Sequence, residues 1–176
     1  MGNKGWYNCE TNCGHAKELQ IEYHENPLFL EICCKAGKCI DVCEGSSNGM
    51  GLERAHPCFK IKWGDGPEDR LETDDVEIMC LVAKNCFSDI AFEDIEIKDI
   101  IISSTNVVNN GSILIKPCKN IYIKKLDPCK EATREIVLIT RRAAPGEYIV
   151  HLVYEYTVCG VRKERRVDFL MNLTAS

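Results

Sequence analysis

No stretch of this sequence stays apolar for the roughly 18–20 residues that a membrane-crossing helix requires. The first residues, Met1-Gly2-Asn3-Lys4-Gly5-Trp6-Tyr7, lack the apolar core of a signal peptide. Trp6 stands where a myristoylation pattern needs Ser or Thr, so Gly2 is not expected to be acylated. The expectation is a protein made in the cytoplasm and not inserted in a membrane, able to act outside the cell or on a cell or spore surface once assembled. Positive charge is also short: 22 Lys and Arg face 27 Asp and Glu, a net charge of −5. Asp65, Glu68, Asp69, Glu72, Asp74 and Asp75 oppose Arg70 alone, and this segment accounts for the whole imbalance. No basic face follows from that distribution, and nucleic acid is not an expected partner. Arg162, Lys163, Arg165 and Arg166 read as a solvated hairpin tip.

Catalytic signatures are missing too. The chain has no Gly-x-Ser-x-Gly, no phosphate-cradling glycine loop and no His-Glu-x-x-His. His151 falls on the strand face opposite Tyr148 and Tyr154, a surface position. The expectation is a non-enzymatic protein with no cofactor. No long helical period occurs anywhere either.

Cysteine is what the chain has in excess, with twelve in 176 residues. Cys9, Cys13, Cys33, Cys34, Cys39, Cys43 and Cys58 crowd the first third, while Cys80, Cys86, Cys118, Cys129 and Cys159 are spread over the rest. High cysteine content argues for disulfides in an exported protein and for metal in a cytosolic one. Oxidation during assembly, after synthesis in the cytosol, reconciles the count with the missing export signal. A turn-rich run, residues 44–51, separates the two parts. The division is a cysteine-rich leader with a small β-meander over 1–57 and a sandwich over 58–176.

Strand patterns dominate. In the first part Leu19–Tyr23 alternates, and 29–34 and 39–43 follow after turns. In the second, strands are expected at 59–63, 76–83, 90–97, 100–103, 112–116, 121–125, 134–140, 147–156 and 166–173. Short strands at this spacing, separated by turn residues, indicate an all-β antiparallel sandwich. Pro145-Gly146-Glu147-Tyr148-Ile149-Val150-His151-Leu152-Val153-Tyr154, followed by a turn and a closing strand, resembles immunoglobulin-like domains of prokaryotic surface and adhesion proteins, of the CARDB and DUF11 type. The resemblance covers about 58–173. It implies an immunoglobulin-like fold and a role as spacer, adhesin or assembly unit.

On that fold, 76–84, 90–97, 112–125, 134–140, 147–157 and 165–173 serve as strands B to G. The B–C, D–E and F–G loops then gather at one end, bringing Cys86, Cys129 and Cys159 to one pole as a cross-link point or metal site. The ordinary alternative is three separate buried thiols. Cys80, alternating with Ile78 and Val82, reads as simple core.

Disulfide or cross-link candidates are therefore Cys9, Cys13, Cys33, Cys34, Cys39, Cys43, Cys58, Cys86, Cys118, Cys129 and Cys159. Cys9, Cys13 and His15 form a zinc alternative, although their spacing is not the sharp two-residue knuckle. Cys39 and Cys43, on one strand, would lie about 13 Å apart, too far to share an ion. Adjacent Cys33 and Cys34 face opposite ways and need different partners. Asp65 and Asp69 are a calcium alternative without the spaced Asp register. The combined expectation is a structural subunit that self-assembles through a sandwich body and a disulfide-forming leader, with copies of itself as partners. A soluble binding or adaptor module with a zinc-stabilised leader is the alternative.

Overall fold

In a computed structural model, residues 17–22, 55–64, 69–104 and 112–176 are described. Ten strands follow in order: β1 (Lys17–Glu18), β2 (Gln20–Glu22), β3 (Cys58–Trp63), β4 (Val76–Lys84), β5 (Phe92–Ser104), β6 (Ser112–Lys116), β7 (Ile121–Leu126), β8 (Glu131–Arg141), β9 (Gly146–Val158) and β10 (Val161–Leu173). They form two five-stranded sheets, β1-β3-β4-β8-β6 and β2-β10-β9-β5-β7, with every strand pair antiparallel. The described residues contain no helix.

Period-two alternation explains why these segments become strands and which face each buries. On β9, Tyr148, Val150, Leu152, Tyr154, Tyr156 and Val158 point inward and are almost wholly buried. Val167, Phe169, Met171 and Leu173 do the same on β10, Met79, Leu81 and Ala83 on β4, and Phe59, Ile61 and Trp63 on β3. Aromatic contacts knit the layers: Phe59 of one sheet meets Tyr154 of the other at 4.5 Å between ring centroids. Truncating a core aromatic of this kind to alanine costs about 3–5 kcal/mol.

Two features match an immunoglobulin-like sandwich. The orders β3-β4-β8-β6 and β10-β9-β5-β7 reproduce the A-B-E-D and G-F-C sheets, with β7 beside C. Tyr148, at the start of β9, donates its hydroxyl to Ala144 O at 2.6 Å, back across the β8–β9 corner, as the tyrosine corner of such folds does at strand F. The inter-sheet B–F disulfide of antibody domains has no counterpart, because β9 carries no cysteine.

β8 and β10 begin earlier than the sequence reading places them, at Glu131 and Val161, so the basic run 162–166 lies in β10, and three further differences change the pairing. The expected breaks around 98–99 do not occur, and β5 is one strand with irregular register between Glu93 and Glu96 and between Ile97 and Asp99. Each irregularity absorbs one residue, which keeps Phe92, Ile95, Ile97 and Ile100 all facing the core. The run 112–125, expected to serve as strand D, divides at Pro117: β6 pairs with β8 in one sheet and β7 with β5 in the other. Proline has no amide to continue the β6 ladder. The described part of Leu19–Tyr23, as far as Glu22, was expected in the leader's meander but lies in the sandwich edges: β1 pairs with β3 and β2 with β10. Between them Leu19 is buried and its N–H bonds Ile61 O at 2.9 Å. Each lateral opening of the sandwich is thus closed by a segment that crosses from one sheet to the other. The rest of the expected meander, 29–34 and 39–43, and the run 44–51 lie outside the described residues.

Candidate functional site

The pairing registers place several strand ends together. Cys58 lies opposite Lys84, Lys84 opposite Glu131, Phe92 opposite both Leu126 and Val158, and Val158 opposite Val161. The β4–β5, β7–β8 and β9–β10 connections therefore share one pole. Cys86, Cys129 and Cys159 sit in those three connections, and Cys58, at the start of β3, joins them. The loop placement read from the sequence holds; Cys58 was missed as a member of the cluster because only the β3–β4 register reveals it.

Asn85 organises this pole. It is fully buried and donates from Nδ2 to Ile90 O at 2.8 Å and to Leu126 O at 3.0 Å. Its Oδ1 accepts from Phe87 N at 2.9 Å, and its own N–H reaches Lys130 O at 2.8 Å. One side chain thus spends three of its four hydrogen-bonding positions joining the β4–β5 loop to the end of β7. Cys129 N closes the loop onto Phe87 O at 3.0 Å.

The sulfurs are in different states. Cys58, Cys80 and Cys129 are disulfide-bonded. Cys86 is a buried thiol whose Sγ lies 3.7 Å from Cys58 Sγ. Burial pushes that thiol up to about 11, against a downward pull from Lys84 and Lys60. Cys159 is an exposed free thiol, and Cys118, in the β6–β7 crossover, is a half-buried one. Cys129 and Cys159 both hold left-handed backbone, with φ of 62° and 50°. Glycine would adopt that conformation about 1–2 kcal/mol more cheaply, so local backbone geometry does not explain cysteine at either turn.

Cys80 needs a correction. It is fully buried, but Met79, Leu81 and Ala83 are the β4 residues that face the inter-sheet core. Cys80 alternates with them and points to the other face. Cys58 likewise alternates with Phe59 and Ile61 and shares that outer face. The sequence pattern correctly groups Ile78, Cys80 and Val82; it cannot say which side of a strand buried on both faces looks inward.

Cys9, Cys13, His15, Cys33, Cys34, Cys39, Cys43 and Asp65 lie outside the described residues. Asp69 is described: its main-chain oxygen accepts from Lys17 Nζ at 2.6 Å. Its carboxylate lies 2.8 Å from where a Cβ on Gly64 would stand, and Gly64 has a φ of +75° that favours glycine independently. Among the described residues no group of three or more His, Cys, Asp or Glu side chains is placed to hold a metal ion.

One arrangement escaped sequence reading altogether. Ser103 of β5, His151 of β9 and Asp168 of β10 form a hydrogen-bonded chain across adjacent strands: Ser103 Oγ to His151 Nε2 at 2.7 Å, and His151 Nδ1 to Asp168 Oδ1 at 2.8 Å. A carboxylate oxygen accepts, so with a neutral imidazole the Nδ1 tautomer satisfies both contacts, Nδ1 donating to Asp168 and Nε2 accepting from Ser103. Arg166 Nε lies 3.2 Å from the same carboxylate oxygen, and Asp168 is only 1 % exposed. The sequence gives no warning, because the three residues meet through register, His151 opposite both Ile101 and Asp168. An oriented Ser–His–Asp chain is the geometry of an activated nucleophile, but catalysis also needs donors placed for the developing oxyanion. At these positions β9 is paired on both sides, so its amides serve the ladders. The arrangement satisfies a buried carboxylate and ties three strands.

No protein-family model matches this chain. No curated protein matches it either. Among solved structures, the GAE domain of GGA2p from Saccharomyces cerevisiae is similar, with 14% identity over 64% of this chain and 88% of that one, at a TM-score of 0.38. The sandwich assignment rests on the two sheets and the Tyr148 corner, not on that overlap.

Proposed function

We propose that this chain is a non-enzymatic structural subunit that self-assembles, its sandwich body cross-linked by disulfides to the cysteine-rich first part of the chain or to neighbouring copies. The observation that carries the reading is the direction of Cys58 and Cys80. Both are disulfide-bonded, and both stand on the face of their sheet that looks away from the inter-sheet core. Such bonds do not staple the two sheets together, as an immunoglobulin disulfide does; they fasten something to the outside of the sandwich. The exposed Cys159 thiol at the β9–β10 turn adds a position from which a bond to another molecule can form. A surface or appendage role of the prokaryotic CARDB and DUF11 type, outside the cell after assembly, is the setting that suits these features.

The test is intact mass without reductant, after free thiols are blocked, beside the fully reduced sample. The expected result is high-mass species that collapse to monomer on reduction, and release of monomers when Cys9 and Cys13 are both changed to Ser. A wild-type protein that runs as monomer under oxidising conditions overturns the proposal, and unchanged assembly of the double variant removes the leader from it.

A further inference from the structure

Cys86 Sγ donates to Cys58 Sγ, so the fold holds a thiol in direct contact with a disulfide sulfur. One is a thiol, the other already half of a disulfide, and their sulfurs are 3.7 Å apart in a buried setting. Reacting atoms poised for attack sit about 3–3.5 Å apart, so a movement of a few tenths of an ångström brings Cys86 Sγ to that distance. Thiol–disulfide exchange proceeds by attack of a thiolate on a disulfide sulfur. We infer that Cys86 is the resolving thiol for the Cys58 disulfide: Cys86 Sγ attacks Cys58 Sγ, a Cys58–Cys86 bond forms, and the sulfur now bonded to Cys58 leaves as a thiolate. One S–S bond forms as one breaks, and the number of disulfides is unchanged. The Cys86 proton passes to water, and no outside oxidant is consumed. The released thiolate can then attack a disulfide of a second copy, converting a bond within one chain into a bond between chains. This step rests on the disulfide-linked assembly proposed above.

The surroundings supply a gate. Desolvation keeps the thiol protonated, with its pKa raised from 9.0 to about 11. Lys84 and Lys60 act in the opposite direction, and the Glu131 carboxylate adds to the rise. Admitting water removes the desolvation, the largest of these effects, and leaves Lys84, Lys60 and the opposing Glu131 in place, so opening the pole raises the thiolate fraction. The Asn85 hydrogen bonds to Ile90 O, Leu126 O and Phe87 N hold the loop shut. The buried pair is stable while these bonds hold and reactive when they part.

The experiment holds dilute, full-length oxidised protein between about pH 7 and 10, where the thiolate fraction of a high-pKa thiol climbs steeply. Samples are quenched in acid, alkylated and mapped as peptides. The expected result is a Cys58–Cys86 linked peptide with one newly alkylated cysteine per bridge. Its initial rate should rise on the order of tenfold per pH unit. Cys86→Ala should yield neither product. The inference is overturned if Cys58 keeps its original bond throughout the wild-type series, if that bond is lost equally in Cys86→Ala, or if Cys118 or Cys159 supplies the new bridge. The wild-type series stands even if the variant does not fold. Dilution also separates the two proposals. A Cys58–Cys86 bridge in a protein that never forms reduction-sensitive oligomers would sink assembly alone; reduction-sensitive oligomers with the Cys58 bond unchanged would sink the exchange alone.

Discussion

His56 is a histidine held neutral by its position. It is 5 % exposed, just before β3, with its Nδ1 3.2 Å from Pro57 O. Burial lowers its pKa from 6.5 to about 4, and the Arg165 charge pushes the same way. The folded-state value is depressed, so the unfolded chain takes up a proton first as pH falls. The stabilisation is complete above about pH 6.5 and is lost between there and about pH 4. The full effect is about 3 kcal/mol. Urea unfolding of the wild type across that window should show the loss, and His56→Gln should flatten it; an equally steep profile in the variant would assign the acid sensitivity elsewhere. Tyr148 makes a different single-residue contribution. Its hydroxyl bond to Ala144 O fixes the corner between β8 and β9, and Tyr148→Phe removes that bond while keeping the ring. The expected loss is about 0.5–1.5 kcal/mol in denaturant midpoint experiments. No loss would mean that the ring alone makes the corner. The aromatic at this place was legible in Pro145-Gly146-Glu147-Tyr148; the bond to a main-chain oxygen four residues back was not, because it depends on how tightly the corner turns.

Among the strands, alternation was sufficient to find β9, where every second residue from Tyr148 to Val158 is buried, and the second half of β10, where Val167, Phe169, Met171 and Leu173 are. It failed where the ladder is irregular. The core residues of β5 recur at spacings of three and two, which breaks a strict period of two and suggests two short strands. The bulges restore a single one by absorbing the extra residues. The Ser103–His151–Asp168 chain belongs to the same scale, since it ties β5, β9 and β10. Asp168→Asn deprives Arg166 and His151 of a buried charged acceptor and should cost about 1–3 kcal/mol, measured by thermal or urea unfolding. Ser103→Ala, at a half-buried edge of the network, should cost under about 1 kcal/mol. A neutral Asp168→Asn would mean the carboxylate is not holding the strands. Labelling of Ser103 by a fluorophosphonate, abolished in His151→Gln, would instead make the chain a catalytic one.

For the molecule as a whole, the two crossing segments decide the shape. Residues 17–22 close one side by pairing with β3 and then β10, and 112–126 close the other by pairing with β8 and then β5. Among the described residues this cover is partial on the first side, where β1 pairs with two residues of β3 and β2 with three of β10. On the assembly proposed above, the cysteine placement favours covalent contact through the sulfur pole and the outer face of the first sheet. The run from Arg162 to Arg166 argues in the same direction. Arg162 lies 3.5 Å from Glu155 and 3.7 Å from Glu96, Arg165 donates to Tyr156 Oη at 2.9 Å, and Arg166 reaches Asp168. The basic hairpin is largely engaged with its own sheet.

Local pattern by itself determined that this protein is all-β, where most of its strands run, and that cysteine is in excess. Those properties follow from periodicity, turn residues and composition, which act over a few neighbours in the chain. Only the tertiary structure decided which face of β4 looks inward, that Cys58 meets Cys86, and that Ser103, His151 and Asp168 form one chain. Each of these depends on register between strands far apart in sequence, and register is set by the packing of both sheets at once.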